Sequence, residues 1–232
     1  MSRKKIQAAE PCSGPADAGG IDAGRAEEGA AGQARKVGRP ELAVDRIRRT
    51  ARELFYREGI RAVGVDEIVS RAGVTKPSLY RNFSSKDELA ASYLRDYDGE
   101  FWVRFDAAVA AHPGKPREQV LEYLSGLADR AQRPSYRGCG LSNACVEYPT
   151  RDHPARRVAE EHKIRLRQRL TGMAAEMGAR QPEVLADGLL LLMEGVFVSG
   201  QLFGAGGPAV SVVAVAAQLI DSACSAARSH RV

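Results

Sequence analysis

Three observations predict an all-α protein. From residue 41 onward, apolar residues recur at three- and four-residue spacing, the period of a helix with one buried face. The periodic runs end at glycine, as at Gly59, Gly73 and Gly204, where the chain can turn without a side-chain clash. No alternating apolar–polar run is long enough for a strand.

The elements follow in order. Val44, Ile47, Ala51, Leu54 and Phe55 form one helical stripe that stops at Gly59. Val65, Ile68, Val69 and Ala72 form a second, ended by Gly73. Thr75 is an expected N-cap for a short helix at 75–83, with Pro77 in its first turn. Ser85-Lys86-Asp87-Glu88 has the pattern of a capping box, in which Ser and Glu satisfy each other's backbone donors. It opens a helix to about residue 107 that carries Leu89, Tyr93, Leu94, Tyr97, Phe101 and Phe105. Pro116 starts a helix with Val120, Leu124, Leu127 and Ala131 on one face. A loop at 135–140 precedes a short segment at 141–147, and Asp152 is the expected cap of a helix reaching Met177. Two further helices are expected at about 182–203 and 208–228.

Composition narrows the class. The 232 residues are 44% hydrophobic and 27% charged, which fits a globular chain rather than a disordered one or a membrane bundle. The apolar stretches at 189–198 and 209–220 carry Glu194 and Gln218 and are too short to span a bilayer. No apolar run follows the basic start at Arg3, Lys4 and Lys5, so no secretory signal is read and the expected location is cytoplasmic. The net charge is +5, carried by 27 Arg and 7 Lys. Guanidinium forks suit phosphates and base edges, so this balance permits nucleic acid as a partner. Residues 1–40 hold no aromatic residue and are rich in Gly and Ala, and they are expected to form a flexible basic tail. Its last stretch, ending at Arg39-Pro40, could reach a minor groove or stay a solvated linker.

Residues 65–83 carry the functional signal. A helix, a turn at Gly73-Val74 and a short polar helix have the layout of a helix-turn-helix. Leu79 and Phe83 are anchors, while Thr75, Lys76, Ser78, Tyr80 and Arg81 are residue types suited to DNA. Lys86 sits in the first turn of the next helix, whose dipole favours a phosphate. An ordinary helical hairpin with a solvated face would show the same pattern.

Residues 46–89 resemble the DNA-binding domain of the tetracycline-repressor (TetR) family of bacterial regulators. The landmarks are Ala51, Phe55, Gly59, Ile68, Ala72-Gly73-Val74, Leu79-Tyr80, Phe83, Lys86 and Leu89. The resemblance implies a dimeric all-α transcription regulator, usually a repressor, released from a double-stranded DNA operator by a small-molecule effector. It implies that Thr75, Lys76, Ser78, Tyr80 and Arg81 face the groove, that Lys86 holds the backbone and that Arg39 is an accessory contact. Family members often carry Ser or Thr where this chain has Val63-Gly64; Gly64 can still act as an N-cap. The implied domains are the tail at 1–40, a DNA-binding domain at 41–88 with its motif at about 65–84, and a helical effector-binding and dimerisation domain at 89–232.

The helices at about 182–203 and 208–228 resemble the pair through which family members form homodimers. Gly195, Ser199, Gly200, Ala214, Ala216, Ala217 and Ala226 would allow close approach. Residues 137–163 resemble the effector domain of one subgroup, which names no ligand. Trp102, Phe105, Tyr123, Asn143, Met193, Glu194 and Phe197 could line a cavity, and none is assigned to a ligand. Cys139, Cys145, His153 and His162 lack the spacing of a structural zinc site, so no metal and no cofactor are expected. Regulation by thiol oxidation and DNA binding without an effector stay open. A small helical enzyme is the alternative of another class, but no GxSxG, P-loop or paired-His motif is present and no catalytic residue is assigned.

Overall fold

The structure, a computed structural model, describes residues 41–225. The expectations for the tail at 1–40, for Arg39 and for residues 226–232 lie outside the described residues. Among the described residues the architecture is all-helical, with no strand.

Helix α1 (Ala43–Glu58), α2 (Val65–Ala72) and α3 (Lys76–Asn82) form the N-terminal bundle. α1 buries Ile47, Ala51, Leu54 and Phe55 against Ile68, Val69 and Ala72 of α2 and Leu79 of α3. Each fully buried Leu or Ile contributes about 1.5–3 kcal/mol, enough to hold these short helices that would not persist alone. α2 ends in a left-handed Gly73 at φ 62° and ψ 41°. The Gly73 amide then donates to Ser70 O at 3.3 Å and the Val74 amide to Val69 O at 3.0 Å. That pair of bonds is a Schellman closure, and it aims the chain into α3. Thr75 caps α3 as expected, its hydroxyl accepting from the Ser78 amide at 3.3 Å.

α4 (Lys86–Ala111) runs without a break across the expected domain boundary at 88/89 and extends one turn beyond residue 107. Its cap differs from a simple capping box. Ser85 Oγ accepts from the Glu88 amide at 3.1 Å, but the Glu88 carboxylate reaches back to the amide of Ser84 at 2.6 Å rather than to that of Ser85. α5 (Pro116–Ala131), α6 (Gly140–Glu147) and α7 (Pro154–Glu176) pack on α4, while α8 (Pro182–Phe203) packs on α7 and α5, and α9 (Val212–Cys224) packs on α5 and α8.

Two boundaries move. α7 is capped by His153, whose Nδ1 accepts from the Ala155 amide at 3.2 Å, and not by Asp152. Pro154 at the first helical position fixes the frame, so the residue before it is the cap. The helix expected at 208–228 is a 3₁₀ turn at Pro208–Ser211 followed by α9, which ends at Cys224. Some of the small residues expected at a dimer contact pack inside the protomer instead. Ala216 is buried, and a Cβ added at Gly200 would lie 2.8 Å from that of Ala131. No described helix is long and apolar enough to cross a membrane.

Candidate nucleic-acid interface

α3 is two-sided because its seven residues place one anchor inward. Leu79 is fully buried and Phe83, just after the helix, is buried as well. Thr75, Lys76, Tyr80 and Arg81 are exposed on the other side, and Tyr80 keeps half of its surface open. Ser78 is half-buried; its carbonyl accepts from Asn82 Nδ2 at 2.8 Å. Arg81 makes no ion pair among the described residues, whereas Lys76 Nζ lies 2.7 Å from Asp66 Oδ1 of α2. That hydrogen bond holds the Lys76 ammonium above its ordinary pKa.

Lys86 is set back from the α3 face. It is half-buried, and its Nζ donates to the Arg61 carbonyl at 3.3 Å, a bond that ties the side chain to the loop between α1 and α2. Burial lowers its pKa. Gly64 caps α2 with backbone alone and has open space around it, so no hydroxyl stands at that helix start.

Sequence reasoning missed the ties that hold this unit in place. Arg46 Nε donates to Ala72 O at 3.1 Å, satisfying a C-terminal carbonyl of α2. The Arg61 amide donates to Glu147 Oε2 at 2.8 Å, tying the α1–α2 loop to the end of α6. Tyr56 of α1 accepts from the Arg137 amide at 3.1 Å and donates to Gly138 O at 3.3 Å, joining α1 to the α5–α6 loop. Each tie crosses more than twenty residues of sequence, so no local pattern announces it.

That loop also borders an open-mouthed cavity of about 380 Å³ between α1, α4, α5 and α8. Tyr56, Tyr93, Tyr97, Phe101, Tyr123 and Tyr136 line it. Of the residues suggested as possible cavity lining, Tyr123 and Phe197 are there, while Trp102, Phe105, Asn143, Met193 and Glu194 are not. Trp102 faces α7 instead, donating to Asp98 Oδ1 at 2.8 Å, with the Arg165 guanidinium 4.3 Å from its ring. Cys139 is buried with Lys163 Nζ at 4.0 Å. Burial pushes the Cys145 thiol above its ordinary pKa, the opposite of what a reactive thiolate requires. Among the described residues no group of His, Cys, Asp and Glu side chains is arranged to hold a metal.

Comparison with known proteins agrees with this geometry. The model of the bacterial regulatory proteins of the tetR family matches residues 47–93. The crystal structure of SCO4454, a TetR-family transcriptional regulator from Streptomyces coelicolor, superposes with a TM-score of 0.70 at 31% identity, covering 78% of this chain and 94% of that one. The HTH-type transcriptional activator FasR of Mycolicibacterium smegmatis is 53% identical over 45 residues, 19% of this chain and only 20% of FasR. The HTH-type transcriptional repressor BdcR of Escherichia coli is 26% identical over 165 residues, 71% of this chain and 82% of BdcR. A motif built for DNA, a helical second domain and a solved relative alike over nearly its full length lead to one conclusion: the chain belongs to the TetR family of DNA-binding transcriptional regulators.

Proposed function

We propose that the protein is a dimeric, ligand-released repressor that reads a near-palindromic operator. The observation that carries the reading head is the open row of Thr75, Lys76, Tyr80 and Arg81 opposite the buried Leu79. In this reading those residues and Ser78 meet base edges and nearby phosphates, Lys86 meets the backbone, and Arg39 adds an accessory contact. Repression is favoured because BdcR, named a repressor, aligns over most of the chain, whereas the activator FasR aligns over 45 residues only.

Dimerisation is supported by the outer face of α8. Val184, Leu191, Val198 and Leu202 are exposed at seven- and four-residue spacing, an apolar stripe fit to meet its copy across a twofold axis. Two heads related by such an axis need half-sites about one helical turn apart, ~34–36 Å, or a multiple of it. An effector in the cavity beside α1 favours a second arrangement of the heads, provided that it binds that arrangement more tightly.

Selection of random duplexes by the full chain at moderate salt tests this function. A near-palindrome among the winners establishes sequence reading by a dimer. Weak, salt-sensitive binding without a motif rejects it.

A further inference from the structure

The cavity beside α1 has aromatic walls and hydrogen-bond donors left without acceptors. Its charged lining is Arg52, Arg104, Arg130 and Arg133 against Glu53 and Glu100. Glu100 is already engaged twice: it takes a charged hydrogen bond from Arg52 and lies 3.6 Å from Arg104. Arg130 and Arg133 have no carboxylate partner among the described residues; Arg130 stands 5.7 Å from the centre of the Tyr123 ring. Deeper in, Arg104 Nε and the hydroxyls of Tyr93 and Tyr136 are buried with no hydrogen-bond partner. Burial raises both phenols above their ordinary pKa, so they stay protonated and able to donate.

A buried donor without an acceptor costs free energy that a suitable ligand would recover. Such a ligand needs acceptor oxygens, a negative charge for the surplus guanidinium groups and a flat apolar body for the tyrosine rings. A neutral aromatic would leave the arginine charge unmatched, and a cation would be repelled by it. The volume of about 380 Å³ lies near the small end for ligand sites and suits one or two rings.

We propose that this cavity binds a small aromatic carboxylate, its ring held among the tyrosines and its oxygens taking the free donors of Arg104, Arg130 and Tyr136. The inference gives the effector of the regulatory reading above its chemical class and rests on that reading. It also gives the ligand a short path to the reading head. The cavity wall includes Tyr56 of α1, whose hydroxyl bridges the Arg137 amide and the Gly138 carbonyl of the bordering loop. A ligand that draws on this loop acts on α1 directly.

Calorimetric titration of the full chain without DNA tests the proposal, using naphthoate, naphthalenemethanol and naphthylmethylamine as probes of one size and three charges. Naphthoate is expected to bind at least about tenfold tighter than either of the others. Arg130→Gln, at a half-exposed position whose loss spares the core, is expected to remove most of that preference, and Arg130→Lys to restore part of it. Arg104→Gln is expected to act in the same direction. Equal or weaker binding of naphthoate overturns the proposal, as does a preference untouched in both glutamine variants. A chain that selects an operator yet prefers the neutral probe loses this inference and keeps the regulatory reading. A chain that prefers naphthoate but selects no duplex keeps the binding site and loses its regulatory role.

Discussion

Arg46 of α1 donates from Nε to the carbonyl oxygen of Ala72 at 3.1 Å, pinning the last turn of α2 to the first helix of the bundle. The same guanidinium approaches Gly73 O at 3.4 Å, so a single side chain serves two carbonyls where the helix ends and the turn begins. A cation at a helix C-terminus is favoured by the dipole as well as by the hydrogen bond. Arg46→Gln is expected to lower stability by about 1 kcal/mol, seen as a melting temperature lower by roughly 2–4 °C. Arg49→Gln is the control. Its guanidinium reaches Glu41 at 2.9 Å, but in an exposed pair of the kind that contributes little. Equal melting shifts for the two variants would remove the special role of Arg46.

The ion pair between Lys76 and Asp66 stands inside the proposed DNA face. A carboxylate there repels phosphate and occupies the ammonium that would otherwise meet it. Asp66→Asn is therefore expected to tighten operator binding roughly twofold to fivefold at low salt, with the gain fading as salt rises. Lys86→Gln should weaken matched and scrambled duplexes alike and reduce the salt dependence by about one unit. Arg81→Ala should instead narrow the gap between matched and scrambled duplexes. Filter binding across a salt series separates the three outcomes, and a Lys86 effect confined to the matched duplex would contradict a backbone contact.

The helix-turn-helix geometry was legible because its determinants are local. Gly73 sets the turn, Thr75 caps α3 three residues before Ser78, and Leu79 and Phe83 are the apolar residues of a short polar stretch. Where two residues competed for one role, residue type misled. Asp152 is the commoner cap, yet the frame set by Pro154 gave the role to His153. The cavity was illegible for a different reason. It is assembled from α1, α4, α5, α8 and a loop, so a lining residue cannot be told from a core residue by periodicity. Trp102 shows the difficulty: its position on α4 suits a cavity, but its indole is turned to Asp98 and His162.

His162 gives the fold a pH dependence. Its side chain is fully buried between α4 and α7, in edge contact with Phe101 at 4.5 Å, and its Nδ1 lies 2.7 Å from Asp98 Oδ1. Burial depresses its pKa from 6.5 to about 4, outweighing the hydrogen bond to Asp98 that acts in the other direction. The folded chain thus holds the neutral ring, while the unfolded chain takes up a proton below pH 6.5. The stability is fully present above that pH and declines as pH falls toward 4, by at most about 3 kcal/mol. Melting temperatures between pH 7.5 and pH 4 should fall for the native chain, and His162→Gln should start lower but fall less steeply. Parallel curves for the two would exclude His162 as the source.

Leu191 offers the sharpest check on assembly. It is 71% exposed at the middle of the α8 stripe, seven residues from both Val184 and Val198. An exposed leucine contributes little to its own protomer, so Leu191→Glu should leave the internal core unchanged. In a twofold contact it would set two carboxylates close to each other and to an apolar partner face, at a cost far larger than a surface charge incurs in water. Light scattering should then report half the native mass, with helical circular dichroism retained. Operator binding should fall more steeply than binding to an isolated half-site, because a monomer keeps one reading head but loses the spacing between two. A variant that keeps both the native mass and the operator affinity would place the dimer contact elsewhere on the molecule.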